Sequence, residues 1–254
     1  MKTIMVEDID GVSLLRLCNG VTNAIGPTMV DELSATLAAL KSECRALLVA
    51  GGDKFFSMGF DLPLLLGMKR NAFEGFFAQF NRVVSELLMF PLPTCCAIEG
   101  HAVAGGCIFA LACDFRLAVA QKKIGLNEIR LGVPVPYLPE LILRHTVGER
   151  AAIEMLYTGA LIPTQEAAGI GLVDALYPPE TVTEAAVEKL RRVADHPPAA
   201  FAAIKSGRTD SLYRRYEVRR EAKDRAFLDC WFDSAAQERL REAATKFKVP
   251  RKSS

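Results

Sequence analysis

The chain has 254 residues, which is enough for one sizeable core, or for one domain with an appended helical tail. Hydrophobic residues make up 50% of the sequence and charged residues 24%, as in ordinary soluble globular proteins. The formal net charge of +1 gives no general argument for nucleic acid or an acidic membrane as a partner and leaves a local basic patch open, and no window holds the roughly 20 apolar residues that a membrane span needs. The first residues lack the apolar core of a signal peptide, so we expect a cytoplasmic protein.

The first half of the chain alternates strand-like and helix-like segments. Two strand-like runs, TIMVEDI and VSLLRL, flank Asp10-Gly11 and predict a β-hairpin. Pro27 begins a helical pattern that reaches about residue 42, and ALLVAGG predicts a buried strand that ends in glycines. Residues 62–90 predict a helix in two pieces. TCCAIEG and DFRLAVA predict two more strands, with the short helix CIFALA between them, so we expect crossover units and a largely parallel sheet.

From about residue 138 the sequence predicts mostly helices, over residues 149–157, 179–195 and 212–248, the last of them broken near Asp233. This tail carries aromatic residues on a strongly charged background: Tyr213, Tyr216, Phe227 and Trp231. A tail of this kind packs either on its own domain or on a sister subunit.

Two segments share the pattern of a buried strand, glycine-rich backbone and a helix: ALLVAGGDKFFSMGFDL and CCAIEGHAVAGGCIFALACD. At a helix start, backbone N–H groups have no intrahelical partner and lie at the positive end of the helix dipole. Two such turns on adjacent strands would direct two N–H groups at one oxygen, which is the arrangement of an oxyanion hole. On spacing alone, the alternative that these glycines only close tight strand–helix packing is favoured. Neither G-x-x-x-x-G-K-[ST] nor G-x-G-x-x-G is present, so no phosphate loop is predicted.

Side chains that often bind metals are present without the spacing that such sites need. The seven cysteines are odd in number and contain no C-x-x-C pair, so we expect neither a metal site nor a disulfide framework. Most of them would be small buried hydrophobes in a reducing compartment. His145 and His196 have the surroundings of structural residues.

Five motifs, in order along the chain, resemble those of the crotonase (enoyl-CoA hydratase/isomerase) superfamily. They are N-A-I, S-M-G-F-D-L, G-H-A-V-A-G-G-C, C-D-F-R-L-A, and T-G-A-L-I-P-T-Q-E-A-A-G-I-G-L-V-D. The resemblance covers essentially the whole chain and implies an α/β fold, a spiral of β-β-α units with a C-terminal helical region. It implies a core domain over residues 1–195 and a trimerisation region over residues 196–254, with trimers often paired into hexamers. The implied partners are an acyl-CoA substrate and further copies of the chain, with no nucleic acid, no membrane and no cofactor besides the CoA thioester itself.

The resemblance also implies roles for particular residues. By position in the motifs, the oxyanion donors are the backbone N–H groups of Phe60 and Gly105, which would hold a thioester oxygen as a stabilised enolate. Lys54 matches a family lysine near the CoA phosphates, and its alternative role is that of a solvated loop lysine.

Proton transfer requires a further group. Hydratases of this family use two glutamates, and the position of the first, three residues after Gly105, is occupied by Ile108, which cannot carry a proton. The second position matches Glu128, which lies among apolar residues in I-G-L-N-E-I-R-L-G and is the candidate base. Without the family resemblance, the same glutamate would be interpreted as a surface residue at a turn.

The strings V-A-G-G-C and I-G-L-N-E resemble the Δ3,Δ2-enoyl-CoA isomerase branch, which keeps one glutamate. Isomerisation of 3-enoyl-CoA to 2-trans-enoyl-CoA is therefore the first expectation. Met58 is bulkier than the usual alanine, and Gly20 lies where many relatives carry a lysine that contacts CoA. His101, in the second glycine turn, has either a structural role or a polar role beside the substrate.

Other residues are expected to be structural. Asp61 is expected to cap a helix, and Asp114 to have a structural role. Four phenylalanines repeat at helical spacing and favour a core position, although this segment shapes the acyl tunnel in relatives: Phe73, Phe76, Phe77 and Phe80.

Three other functions stay open on the sequence. The first is a hydratase that works with one glutamate, or another crotonase reaction such as thioester hydrolysis or decarboxylation. The second is a non-catalytic relative that binds acyl-CoA or RNA, although the balanced charge and the lack of interleaved aromatic and basic residues argue against RNA. The third is a structural subunit of a larger fatty-acid oxidation complex.

Overall fold

A computed structural model of the chain describes residues 2–245 and contains one sheet of six strands and one of four. The strands are β1 (Ile4–Ile9), β2 (Val12–Leu17), β3 (Ala46–Ala50), β4 (Phe55–Ser57), β5 (Thr94–Ile98), β6 (His101–Val103), β7 (Phe115–Val119), β8 (Lys123–Gly125), β9 (Ile162–Pro163) and β10 (Ala175–Tyr177). The helices are α1 (Pro27–Glu43), α2 (Leu62–Leu65), α3 (Arg70–Leu88), α4 (Gly105–Ala112), α5 (Tyr137–Thr158), α6 (Thr164–Gly169), α7 (Val182–Ala194), α8 (Pro198–Trp231) and α9 (Ser234–Thr245), with a 3-10 turn over Glu128–Leu131.

The large sheet has the strand order β1-β2-β3-β5-β7-β10 and is parallel except for the β1–β2 hairpin. Both faces of its central strands are covered, so β3 and β5 are buried along their whole length. Successive side chains on these strands enter opposite clusters, which separates the adjacent Cys95 and Cys96 onto different faces. The predicted hairpin and the largely parallel sheet are confirmed.

The small sheet, in the order β4-β6-β8-β9, was not predicted from the sequence. Its strands have two or three residues each, too few for an alternating pattern to stand out. Strands β3, β5 and β7 of the large sheet are each followed by a strand of the small sheet, and then by helical structure. This repetition is the spiral of β-β-α units that the resemblance implies, and the α/β fold class is confirmed.

Two predicted helices begin earlier than the sequence indicates. Helix α5 begins at Tyr137 rather than at residue 149, because Gly148, with φ of 77°, interrupts the helical backbone and hides the first half of the pattern. Helix α8 begins at Pro198 rather than at residue 212, and an exposed Ile204 there breaks the apolar period. The predicted break near Asp233 is confirmed, because this residue separates α8 from α9 and its carboxylate accepts from the N–H groups that start α9. Residues 246–248 of the predicted tail helix lie outside the described residues.

The helical tail packs on its own chain. Lys205 of α8 is buried and its ammonium lies 2.7 Å from a carboxylate oxygen of Asp114, which also accepts from the N–H and hydroxyl of Thr94. This arrangement joins α8 to the large sheet and confirms the structural role of Asp114. Tyr216, Phe227 and Trp231 are buried in the same chain. No helix within residues 2–245 has an apolar stretch long enough to cross a bilayer.

Candidate active site

The first glycine turn leaves one backbone donor free at the end of β4. The residues on both sides of Phe60 use their N–H groups within the protein: Met58, Gly59, Asp61 and Leu62. The N–H of Phe60 has no acceptor among the described residues. Asp61 caps α2, as predicted, because its carboxylate accepts from the N–H of Leu64 at 3.2 Å. The turn is therefore held by hydrogen bonds on both sides of a single unpaired N–H.

The second turn presents another free donor at the start of α4. Gly105 is the first residue of this helix, so its N–H has no intrahelical partner, and it has no other acceptor among the described residues. Ala104, just before it, has φ of 49° and ψ of −117°, a backbone conformation that costs about 1–3 kcal/mol in a residue with a side chain. The strain at Ala104 turns the chain sharply from β6 into α4 and exposes the positive end of the helix dipole.

The two turns touch each other through their glycines. A Cβ on Gly59 would lie 2.9 Å from the backbone nitrogen of Gly105, and Gly59 itself has φ of 85°. A Cβ on Gly105 would lie 3.2 Å from the Cα of Gly59. Strands β4 and β6 pair in parallel, so both turns leave the same edge of the small sheet. The two unpaired N–H groups of Phe60 and Gly105 therefore lie on backbones in direct contact.

Glu128 follows β8, the next strand of the small sheet, and begins the 3-10 turn. It is buried, with 6% of its surface exposed. Burial raises the pKa of its carboxyl group to about 8, against a weaker effect of its own backbone N–H. Its Oε2 is sealed in the protein without a hydrogen-bond partner among the described residues. A buried carboxyl group with a raised pKa suits proton transfer better than an exposed glutamate at a turn does.

One cavity of about 390 Å³ brings these groups together, because its lining includes Phe60, Gly105, Ile108 and Glu128. Ile108 is 1% exposed and supplies hydrocarbon to the wall. Chemically, the cavity offers two N–H donors for a developing oxyanion and one buried carboxyl group for proton transfer, whereas its other carboxylate residue, Glu242, is exposed.

The sequence matches the enoyl-CoA hydratase/isomerase family over residues 7–253. The chain belongs to this family. It is 34% identical over 190 residues to a putative enoyl-CoA hydratase of Thermus thermophilus, covering 72% of this chain and 74% of the relative. It is 30% identical over 223 residues to enoyl-CoA delta isomerase 1, mitochondrial, of Homo sapiens, covering 86% of this chain and 74% of the relative.

The fold of this family member agrees with solved structures. The structure of human mitochondrial delta3-delta2-enoyl-CoA isomerase superposes with a TM-score of 0.91 at 28% identity, over 97% of this chain and 98% of that one. The structure of Pseudomonas aeruginosa OdaA superposes with a TM-score of 0.86 at 26% identity, over 96% and 99% of the two chains. Relatives named as hydratases and as isomerases thus lie at similar distances from this enoyl-CoA hydratase/isomerase family member, and the choice between the two reactions depends on its own residues.

Two residues for which the sequence offered a functional role, Lys54 and His101, do not line the cavity. Lys54 is exposed before β4, with its ammonium 6.0 Å from the ring centroid of Phe55, and does not line the cavity. His101 begins β6, and its Nδ1 accepts from the N–H of Lys123 at 2.9 Å. The pKa of His101 is lowered, first by burial and then by Lys122 and Lys123. His101 therefore connects β6 to β8 in the small sheet, away from the donors at the other end of β6.

Some cavity residues had no predicted functional role. Asn127 lines the cavity next to Glu128, and its Oδ1 is buried without a hydrogen-bond partner among the described residues. In the sequence, Asn127 stands directly before the candidate base in the string I-G-L-N-E, and this position is the signal that points to it. Phe227 and Trp231 of α8 also line the cavity, although the sequence indicated only that the tail packs. The four phenylalanines of α3 are buried and do not line it, as their spacing predicted.

Proposed function

We propose that the protein isomerises 3-enoyl-CoA to 2-trans-enoyl-CoA with Glu128 as the single proton-transferring group. The observation that carries this proposal is the cavity itself, whose lining combines one buried carboxyl group, that of Glu128, with the two residues that carry unpaired N–H donors, while Ile108 stands where a second carboxyl group would be needed. The similarity to human mitochondrial delta3-delta2-enoyl-CoA isomerase supports it.

The reaction begins with the thioester oxygen bound by the N–H groups of Phe60 and Gly105. The ionised Glu128 removes a proton from C2, and the electron pair of that C–H bond forms a dienolate whose negative charge lies on the bound oxygen. The carboxyl group of Glu128 then returns the proton to C4. The double bond moves from C3–C4 to C2–C3, the charge on oxygen is discharged, and Glu128 is again ionised.

Each catalytic part comes from the chain or from the substrate. The two N–H groups stabilise the dienolate, Glu128 moves the proton, and the CoA thioester supplies the electron sink. No further cofactor is required for these steps. Lys54 is the proposed contact of the CoA phosphates, through an ammonium that is exposed before β4.

Hydration of a 2-enoyl-CoA is the second candidate, because the Thermus thermophilus relative at 34% identity is named a putative enoyl-CoA hydratase. Water addition requires one group to orient and deprotonate the water and another to deliver a proton to C2. Ile108 does neither, and an ordered water needs two to four polar partners. The local chemistry therefore favours isomerisation over hydration.

A panel of thioesters tests the proposal. We expect conversion of 3-hexenoyl-CoA to its conjugated isomer, and much slower hydration of crotonyl-CoA, hydrolysis of saturated acyl-CoA or decarboxylation of malonyl-type thioesters. Product analysis by chromatography separates these reactions. Hydration as fast as isomerisation would contradict the isomerase proposal and favour the hydratase candidate.

A melting curve with free CoA and with a saturated acyl-CoA tests the substrate class independently of any reaction. A ligand that binds only the folded protein raises the melting temperature by mass action. An unmoved curve at saturating ligand contradicts the acyl-CoA class. A raised melting temperature without turnover of any thioester supports the non-catalytic or complex-subunit alternative.

A further inference from the structure

The C-terminal helices supply one wall of the cavity, through Phe227 and Trp231 of α8 and Leu240 of α9. All three are buried. This wall is made from the helical tail rather than from the sheets that carry the donors and Glu128.

Aromatic rings of α3 support the wall from behind. Trp231 stacks on Phe73, with ring centroids 4.2 Å apart and planes at 18°. Phe227 stacks on Phe77, with centroids 4.1 Å apart and planes at 11°. Protein interiors are close-packed, so these two stacked layers of rings cannot move aside to admit a ligand unless the packing of the core changes.

Phe60 connects this wall to the oxyanion donors. Its backbone N–H is one of the two unpaired donors, and its ring centroid lies 6.2 Å from that of Trp231, in an edge-on arrangement. Trp231 therefore lies beside the side chain of the residue whose N–H is one of the two donors. An acyl chain that leaves the thioester carbon toward α8 meets the indole after a few carbons.

The polar atom of the Trp231 side chain makes no hydrogen bond within residues 2–245. Its Nε1 is buried and has no hydrogen-bond partner among the described residues. Buried polar groups are normally paired, so the shape and volume of the ring account for its position better than its N–H does. An apolar replacement of Trp231 accordingly removes no hydrogen bond.

We propose that Trp231 closes the acyl-binding part of the cavity and restricts the ligand to short acyl chains. The proposal rests on the proposed function in taking an acyl-CoA as the ligand, but not on which reaction follows. Trp231 is a specificity-determining residue in this assignment, through a steric limit rather than through chemistry at the thioester.

The test measures dissociation constants of saturated acyl-CoAs from butanoyl to dodecanoyl by calorimetry, with the full chain. Each methylene that becomes buried strengthens binding by about fourfold. For the wild type, we expect this gain to stop after the first few carbons. For Trp231→Leu, we expect the gain to continue over one or two further methylenes, so that dodecanoyl-CoA binds about tenfold more tightly than to the wild type while the affinity for butanoyl-CoA is unchanged.

Phe77→Leu is the matched control. Phe77 is buried and belongs to the same stack of rings, but it does not line the cavity. We expect this variant to lose stability like Trp231→Leu and to keep the chain-length profile of the wild type. Trp231→Phe, which keeps a ring without the N–H, should lie between the wild type and Trp231→Leu and serves if the leucine variant does not fold.

Two chain-length profiles would overturn the proposal. One is a wild type whose affinity rises steadily through dodecanoyl-CoA, and the other is an equal shift of the profile in Trp231→Leu and Phe77→Leu. Absence of binding at every chain length contradicts the acyl-CoA class and this proposal with it. Because saturated thioesters undergo no double-bond shift, a failure of the isomerase assignment alone leaves the chain-length result standing.

Discussion

Glu128 places a carboxyl group at a buried position that is shielded from water. Burial raises its pKa to about 8, so near neutral pH most of the free protein carries it protonated. The higher pKa makes the ionised form a stronger base toward a carbon acid, while it reduces the fraction that is ionised. The ability of Glu128 to act as a base therefore depends on pH around pH 8, which is within the range of ordinary rate measurements.

Glu128→Gln should lower isomerisation of 3-enoyl-CoA by on the order of a hundred- to ten-thousand-fold, because the amide keeps the size of the side chain but moves no proton. Binding of a saturated acyl-CoA should change little. Steady-state kinetics and calorimetry check the two halves of this prediction. Near-normal turnover by the variant would place the base elsewhere.

The pKa shift of Glu128 also predicts how rate and stability change with pH. The kcat/KM of isomerisation should rise about tenfold per pH unit up to about pH 8, where Glu128 becomes ionised in the free enzyme, and then level off. A profile that is flat below this pH would show that another group is the base.

The free energy of unfolding should change with pH in the opposite direction to the rate, falling as the pH rises. The folded pKa is raised from 4.5 to about 8, so the folded state holds this proton more tightly than the unfolded state does. The resulting stabilisation is fully present below pH 4.5 and is lost as the pH rises to about 8. Glu128→Gln removes this loss, and its free energy of unfolding should exceed that of the wild type at alkaline pH by a few kcal/mol. Urea unfolding of both proteins at acidic and alkaline pH measures the difference.

Ile108 is the other residue that decides the reaction. Ile108→Glu should raise hydration of crotonyl-CoA relative to isomerisation, because it supplies the second carboxyl group for a water. It should also destabilise the fold, because a carboxyl group enters a site that is 1% exposed. Ile108→Val, which keeps the site apolar at a cost of about 0.5–1.5 kcal/mol, is the control and should keep the product ratio of the wild type. Chromatography of both products decides, and an unchanged ratio in Ile108→Glu contradicts the argument.

At the scale of elements, the oxyanion site depends on the contact between the turn after β4 and the start of α4. Gly59→Ala should disrupt that contact, because the added Cβ would lie 2.9 Å from the nitrogen of Gly105 and the residue has φ of 85°. We expect a loss of isomerisation of at least about a hundredfold, comparable with the removal of one oxyanion donor.

Gly207→Ala is the control for this glycine, since it lies exposed in α8 with no atom within 4 Å of a new Cβ. It should stabilise the protein by about 0.5–1 kcal/mol and leave the rate unchanged. Kinetics and thermal unfolding of the two variants test the difference. Equal activity of both would mean that the two turns do not form the oxyanion site.

At the scale of the whole molecule, we predict a trimer or a hexamer in solution. The tail aromatics do not support this prediction, because Tyr216, Phe227 and Trp231 are buried within one chain. Exposed aliphatic residues of α8 do support it, since Ile204 is 75% and Val218 is 84% exposed. Light scattering at micromolar concentration should give three or six times the mass of one chain, and a clean monomer contradicts the prediction.

The sequence by itself determined the fold class and the motifs of the two turns. The hairpin, the buried strands and α1 followed from hydrophobic pattern and turn residues, because these signals act over a few neighbouring residues. The resemblance also named Phe60, Gly105, Glu128 and Ile108, since each occupies a fixed position within a short motif.

Only the tertiary structure decided which of these residues share a cavity, because β4, β6 and β8 come together through strand pairing across distant parts of the chain. It also decided that Glu128 is buried, which no local pattern distinguishes from a glutamate at an exposed turn. The contribution of Trp231 to the cavity was likewise decided only by the tertiary structure. The position of Trp231 depends on how α8 packs against α3. The residues next to Trp231 in the sequence do not determine how two elements far apart in the chain pack together.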